Sequence, residues 1–162
     1  MQAVGHGEVS KRIDVVASLL TLSGTIDDLF DVDLSYAPPY NSPIDNAVVA
    51  ANALMNKIEG TFKGLSPLQV REMMKRDEVV FLDVRNPNEY QKVRLASSGN
   101  IRNIPLGELR NRCNELSKDD EIIAYCKLGL RGYEAEVILD GEDFKNVKVL
   151  EGGIVAWPFE DA

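Results

Sequence analysis

The chain has 162 residues, and 44% of them are hydrophobic, which is enough for a globular protein of one or two small domains. Its formal net charge of −8 argues against a nucleic-acid partner, because such binding relies on clustered Lys and Arg. The two cysteines suit neither a disulfide framework nor a metal site, and no apolar run is long enough for a membrane span. We therefore expect a cytoplasmic protein.

The first 60 residues predict two helices separated by an extended segment. Apolar residues recur at helical spacing after Ser10, a candidate N-cap, and predict a helix over 11–22 that stops before Gly24. Three prolines at positions 38–43 exclude a long helix in the next stretch, which we expect to be extended and then irregular. A second amphipathic helix is predicted over 44–58. The apolar stripe of the first helix consists of Ile13, Val16, Ala17 and Leu20.

These two helices are too small to form a core of their own. We therefore expect their apolar faces to contact another chain or a further part of the protein.

From Thr61 onward, strand and helix patterns alternate. A helix is predicted after Ser66, where Pro67 and Gln69 complete an N-terminal capping box. The alternation predicts an α/β fold with a mainly parallel sheet covered by helices on both faces. Strands are predicted at VVFLDV, IRNIP, EIIAY and VKVL, and further helices at PNEYQKV, LGELRNRCNEL and RGYEAEVILDGE.

Cys126 directly follows the predicted strand EIIAY and opens a loop that leads into a helix. Ligands of open parallel sheets bind at such carboxyl ends. Backbone N–H groups of the loop and of the first helical turn are expected to surround the sulfur, and Gly129 allows the tight turn. Amides and positive charge favour the thiolate, which is the nucleophile. The loop residues are Lys127, Leu128, Gly129, Leu130 and Arg131.

The alternative for any single cysteine after a buried strand is a small core hydrophobe. The glycine, the arginine and the helix start that follow Cys126 favour the reactive interpretation there. Cys113 lies at helical spacing with Leu109 and Leu116, so we expect it to be a core residue.

Four segments resemble the signatures of rhodanese domains: FLDVRNPNEY, NIPLGEL, the loop CKLGLR and LEGGIVAW. They occur in the family's order over about 100 residues of the chain. The resemblance implies a five-stranded rhodanese-like domain over 61–162 and sulfurtransferase chemistry, with Cys126 carrying sulfane sulfur as a persulfide. The partners it implies are a sulfane-sulfur donor and a thiol or other acceptor, and the electrostatics of the loop suggest that the donor is a small anion such as thiosulfate or a polysulfide.

The resemblance also implies supporting roles for three residues outside the loop. Asp83 and Arg85 match the family's Asp-Val-Arg and are expected to brace the loop through charge-assisted hydrogen bonds. Trp157 matches a late aromatic residue, for which we expect core packing.

Two features separate this chain from its relatives. Cell-cycle tyrosine phosphatases share the fold, but their loop is one residue longer between Cys and Arg, so the loop here favours sulfur over a phosphoester. Many rhodanese domains carry Gly-His-Ile before the second signature, whereas this chain has KVRLASSGNI. Its one histidine, His6, lies far away in sequence, so activation of Cys126 is assigned to the loop.

The segment before Thr61 resembles part of another family. YAPPYNSPID and its surroundings are similar to the later part of the dimerisation domain of pyridine nucleotide-disulfide reductases, in particular the coenzyme A-disulfide reductases that carry a rhodanese domain. Residues 1–60 are therefore expected to mediate a homodimer, with Tyr36 facing the partner's reductase site. Met1 is expected to lie partway through that domain.

The same resemblance implies FAD, NAD(P)H and coenzyme A for the full-length parent. No glycine-rich dinucleotide fingerprint occurs in these residues, so we expect no cofactor site in this chain. The alternative function is a docking module, in which the rhodanese fold binds partners without catalysis and the first 60 residues only dimerise.

Overall fold

The computed structural model describes residues 1–6, 8–95 and 100–159. The chain divides into two compact units, Met1–Gly60 and Thr61–Ala162. Within the described part of the chain, no helix has the length and apolar character needed to cross a membrane.

The first unit contains three helices: α1 (Val9–Thr21), α2 (Ile26–Asp31) and α3 (Asn46–Ile58). Helix α2 occupies the place of the predicted extended segment, so that prediction was wrong. A capping box explains the helix, because the Thr25 hydroxyl accepts from the Asp28 amide while the Asp28 carboxylate accepts from the Thr25 amide. The prolines at 38–43 lie beyond α2 and do not affect it.

The boundaries of the two predicted helices also need correction. Helix α1 begins at Val9 with Glu8 at its N-cap, so Ser10 lies inside the helix and is not the cap. Helix α3 begins at Asn46, because the Asp45 side chain accepts a hydrogen bond from the Ala47 amide and fixes the start there.

The first unit has a small core, contrary to our expectation that it would have none. Leu29, Ala47 and Ala51 are buried, and further apolar side chains pack against them. The face of α1 that contributes is rotated from the predicted stripe, because Ile13 and Leu20 are exposed. The side chains that α1 contributes to this core are Val15, Val16 and Leu19.

The second unit is a five-stranded, entirely parallel sheet, which confirms the predicted α/β class. The strand order is β1-β5-β4-β2-β3. The short first strand was not located from the sequence. The strands are β1 (Gly64–Leu65), β2 (Val79–Asp83), β3 (Ile101–Asn103), β4 (Glu121–Tyr125) and β5 (Asn146–Leu150). The helices are α4 (Pro67–Met73), α5 (Pro87–Lys92), α6 (Leu106–Arg112) and α7 (Leu130–Gly141).

Apolar side chains cover both faces of this sheet. On one face, Leu109 of α6 and Leu139 of α7 join a buried cluster with Leu82 of β2. On the other, Val70 of α4 and Trp157 pack with Phe81 of β2. Helix α4 starts at the predicted capping box, in which the Ser66 amide donates to the Gln69 side chain at 2.9 Å. Every residue of β2 is buried, as its continuous apolar run predicts.

The register brings the carboxyl ends of the central strands to one edge. Asp83, the last residue of β2, pairs with Tyr125, the last residue of β4. Chain segments that leave these two strands therefore start side by side at this edge.

Leu82→Ala is expected to lower the free energy of unfolding of the second unit by about 2 to 5 kcal/mol, because it opens a cavity in a fully buried site. Urea denaturation followed by the fluorescence of Trp157, the one tryptophan of the chain, reports on this unit. Leu68→Ala, at a position that is 69% exposed, is the matched control and is expected to cost less than about 0.5 kcal/mol. Equal losses in the two variants would contradict this account of the core.

Candidate active site around Cys126

Cys126 follows the last residue of β4 and is 2% exposed. Its side chain belongs to the cluster that covers the α6 and α7 face of the sheet. The chain then turns within three residues into α7, with Gly129 as the helix N-cap. The structure therefore brings the thiol to the carboxyl edge of the sheet and to a helix start, as the sequence predicts.

The backbone of the loop contacts the sulfur directly. The Gly129 N–H donates to Sγ of Cys126 at 3.1 Å. Gly129 has a φ of 116°, which a residue with a side chain rarely adopts, so the glycine is required by the turn. The first N–H groups of α7, beginning with Leu130, have no carbonyl partner within the helix and face its N-terminal end. An anionic sulfur at this end is favoured by those groups and by the helix dipole.

A second turn, after β5, fixes the outer side of the loop. The Ile154 amide donates to the Cys126 carbonyl at 2.9 Å, and the Val155 amide donates to the Lys127 carbonyl at 3.1 Å. This approach requires Gly153, because a Cβ there would lie 2.5 Å from the Cys126 carbonyl oxygen. Gly153 lies within the segment LEGGIVAW, and its role in this contact was not predicted.

Glu89 of α5 holds the arginine of the loop, and this contact was also not predicted. Its two carboxylate oxygens accept from Nη1 and Nη2 of Arg131, each at 2.9 Å. The Arg131 guanidinium, foremost by hydrogen bonding, lowers the pKa of the Glu89 carboxyl from its usual 4.5 to about 2. Conversely, Glu89 raises the pKa of Arg131, and the sulfur of Cys126 adds a smaller attraction of the same sign.

Asp83 and Arg85 form a buried ion pair beside the site. We expected them to brace the loop, but within the described residues no hydrogen bond joins either side chain to residues 127–131. Nη2 of Arg85 donates to the Asp83 carboxylate at 2.6 Å and to the Val93 carbonyl, also at 2.6 Å. The Arg85 guanidinium lies 5.7 Å from the ring centroid of Tyr125, the residue before Cys126. The pair therefore supports the end of β4, whereas the ion pair to the loop itself comes from Glu89.

The remaining loop side chains point outward. Leu128 and Leu130 are 66% and 69% exposed, and Lys127 is exposed as well. The rim of the loop, by which we mean its exposed side chains Lys127, Leu128 and Leu130, therefore consists of two leucines and one lysine.

The other residues singled out from the sequence lie elsewhere. Cys113 falls on a short 3-10 helix, partly buried against the same core cluster as Leu109 and Leu116, which agrees with the predicted core role. Trp157 is buried in the opposite cluster, as expected. Tyr36 is half exposed in the first unit, and its role stays a prediction.

Two further points from the sequence concern the segment KVRLASSGNI and metal binding. Residues 96–99 of the segment KVRLASSGNI lie outside the described residues. Among the residues with described positions, no group of three or more His, Cys, Asp or Glu side chains is arranged to hold a metal ion.

Gly153→Ala is expected to displace the loop, because the new Cβ would overlap the Cys126 and Lys127 backbone and the residue has a φ of 59°. We expect a lower unfolding midpoint and at least a severalfold change in the alkylation rate of Cys126 by iodoacetamide, measured by peptide mass spectrometry. Gly107→Ala, where a Cβ meets nothing within 4 Å, is the control and should leave both quantities unchanged or raise stability slightly. Identical behaviour of the two variants would contradict the assigned role of Gly153.

The comparisons with known proteins agree with this geometry. A family model for the rhodanese-like domain matches residues 66–159. The thiosulfate sulfurtransferase GlpE of Pseudoalteromonas translucida is 30% identical over 96 residues, which cover 59% of this chain and 89% of that protein.

Two solved structures are similar over nearly the whole chain. Reduced CoADR-RHD of Bacillus anthracis has a TM-score of 0.86 and 34% identity, and covers 94% of this chain. The NAD-dependent persulfide reductase of A. fulgidus has a TM-score of 0.78 and 40% identity, and covers 96%. The matched regions are 27% and 26% of those two longer proteins. The match of the family model to more than half of the chain shows that this protein belongs to the rhodanese-like domain family.

Proposed function

We propose that the second unit is a sulfurtransferase domain that carries sulfane sulfur as a persulfide on Cys126. The observation that carries this proposal is the position of the thiol. Its Sγ lies at the carboxyl edge of a parallel sheet, accepts the Gly129 N–H at 3.1 Å and faces the start of α7. Such a position stabilises a negatively charged sulfur both before and after loading.

The proposed reaction has two displacements at sulfur. The Cys126 thiolate forms an S–S bond with the sulfane sulfur of the donor, and the donor's own bond to that sulfur breaks. With thiosulfate as donor, sulfite leaves with the bonding electron pair. An acceptor thiolate then attacks the outer sulfur of the persulfide, so that Cys126 leaves as a thiolate and the acceptor becomes a persulfide. Neither step needs an external oxidant or reductant.

The site residues divide these tasks. Cys126 is the nucleophile and carrier, and the Gly129 amide with the first N–H groups of α7 supports the charge on sulfur. Arg131, held by Glu89, adds positive charge beside Sγ. No step of this scheme needs a histidine base.

We further propose that the chain is part of a flavin-dependent coenzyme A-disulfide or polysulfide reductase. The support is the similarity to CoADR-RHD and to a persulfide reductase over 94% and 96% of this chain, well beyond the matched rhodanese residues. In such a parent, Cys126 would present sulfur to a reductase site, with Tyr36 of the first unit near the partner subunit's reductase site.

The described residues do not fit FAD or NAD(P)H themselves. Among the described turns that lead from a strand into the next α-helix, only the turn after β4 contains a glycine. That turn surrounds Cys126. A dinucleotide fingerprint needs at least two glycines at such a turn. No step of the proposed reaction is therefore routed through either cofactor in this chain.

The first unit is proposed to mediate a homodimer. Helix α1 and its C-cap expose apolar side chains that the small core does not use, and these include Leu20 at 68% and Leu22 at 80%. Exposed apolar surface of this kind is typical of a partner interface.

Incubation with thiosulfate or polysulfide under reductant-free conditions is expected to add the mass of one sulfur atom to the chain, measured by intact-mass spectrometry. Cys126→Ser should abolish the adduct, because it removes the only proposed carrier. Cys113→Ser is the matched control and should load as the wild type does. A wild-type chain that folds but never gains the sulfur atom would contradict the proposal and favour a docking role for the domain.

Analytical ultracentrifugation of the intact chain is expected to give twice the mass of one chain. Replacing both Leu20 and Leu22 by Glu should shift the protein to monomer, because charges would be placed on the proposed interface. Leu68→Glu, at a position in the second unit that is 69% exposed, should leave the mass unchanged. A wild-type monomer at concentrations of tens of micromolar would rule the proposal out.

A further inference from the structure

Glu89 is placed to control the charge that a sulfur donor meets at Cys126. It lies on α5, outside the loop, and yet both of its carboxylate oxygens bind the Arg131 guanidinium at 2.9 Å. One of them, Oε2, also accepts from the Asn86 amide at 3.2 Å, so the first turn of α5 fixes its position. Glu89 and Arg131 are each about one-third exposed, so solvent screens the pair only in part.

The ion pair leaves the inner part of the site with little net charge. Arg131 is the cation close to the sulfur, and its charge is balanced by Glu89. Lys127 is exposed on the rim and, among the described residues, has no ion-pair partner, so water surrounds its charge. The other exposed side chains of the loop, Leu128 and Leu130, offer no hydrogen-bond donor.

This arrangement is poor for a doubly charged donor. The N–H groups of the loop and of the start of α7 serve the charge on the sulfur itself. A second charge on the donor therefore requires uncompensated positive charge or further donors to replace the water that it loses on binding. Here the bidentate face of the Arg131 guanidinium, which suits an oxyanion best, is already used by Glu89. A donor with one negative charge and an apolar substituent loses less hydration, and its substituent can contact the leucines.

We propose that Glu89 is a specificity-determining residue that makes Cys126 accept sulfur from monoanionic sulfane-sulfur donors in preference to dianions such as thiosulfate. The inference rests on the proposed function, since it specifies the donor class for the same thiol. It assigns to Glu89 a role as positioning residue, because Glu89 acts on the donor through Arg131.

Two donors with the same reacting bond separate the effect of charge from that of chemistry. Thiosulfate carries two negative charges, and loading of Cys126 releases sulfite. Methanethiosulfonate has a methyl group in place of one charged oxygen and carries one negative charge. In its reaction the Cys126 thiolate bonds to the terminal sulfur, the bond from that sulfur to the sulfonyl group breaks, and methanesulfinate leaves with the electron pair. The persulfide product is the same with both donors.

The experiment measures the second-order rate of persulfide formation on the intact chain with each donor, by intact-mass spectrometry. Each rate is divided by the rate of the same donor with a small free thiol at the same pH, which removes the intrinsic reactivity. For the wild type, the normalised rate is expected to be at least fivefold higher with methanethiosulfonate. This first comparison needs no variant.

Glu89→Gln then removes the charge while an amide oxygen can still accept from Asn86 and Arg131. We expect the preference to shift toward thiosulfate by roughly 5- to 20-fold, because a whole unit charge is lost a few ångströms from the donor. The shift should shrink in about 1 M salt, where the screening length is only ~3 Å. A general loosening of the loop would slow both donors alike and would not move their ratio.

Two control variants complete the design. Glu89→Asp keeps the charge and should keep the wild-type preference. Glu78 forms an ion pair with Arg76 just before β2, at the opposite edge of the sheet. Glu78→Gln removes the same charge there and should also leave the ratio of the two donor rates unchanged.

The outcomes separate this proposal from the one on which it rests. A folded Glu89→Gln variant with a ratio within twofold of the wild type, or a wild type without preference for the monoanion, would overturn the role of Glu89 while Cys126 remains the carrier. If neither donor loads the wild type, the proposed function fails, and the proposal on Glu89 fails with it.

Discussion

The close approach of two backbone turns determines the shape of the site. β4 and β5 are neighbours in a parallel sheet, so the segments after them leave from the same edge. The turn after β5 comes so near that Gly153 has no room for a Cβ, and it donates two N–H groups to the carbonyls of residues 126 and 127. In a trans peptide the N–H points away from its carbonyl. Binding those carbonyls from outside therefore turns the following N–H groups of the loop the other way.

Electrostatic support for the sulfur comes from backbone and side chains in different ways. The Gly129 amide and the start of α7 supply partial positive charge that does not depend on pH. Arg131 supplies a full charge, but Glu89 compensates it. The buried pair of Asp83 and Arg85 lies beside Tyr125, the residue before Cys126, and supports the end of β4. A thiol surrounded in this way is stabilised as an anion by fixed dipoles, while the net charge of its surroundings stays low.

The sequence predicts the local features of this site better than its tertiary contacts. A continuous apolar run, a cysteine and a glycine before a helix suffice to predict β4, the loop and α7. A capping box likewise predicts the start of α4. Helix α2 also begins with a capping box, but its N3 residue is Asp28 and not the usual Glu or Gln, so the pattern that predicts α4 does not predict α2.

Other features could not be found from one sequence because they depend on distant residues. Strand β1 has only two residues and is defined by its pairing with β5, so no alternation of apolar and polar residues in the sequence can reveal it. Glu89 and Arg131 are 42 positions apart, and the register of the sheet brings them together. Gly153 is visible as a glycine in a turn, but the carbonyl that it must approach belongs to Cys126, in the loop after another strand.

The double use of Glu89 has a consequence for local unfolding. The same carboxylate binds the Asn86 amide at the start of α5 and the guanidinium of Arg131 in the Cys126 loop. Helix α5 has only six residues, and such short helices fray readily. When its first turn opens, the loop loses Glu89 in the same event. Order in the sulfur-binding loop is thereby tied to one of the shortest helices of the domain, and hydrogen exchange at Asn86 and at Gly129 becomes linked.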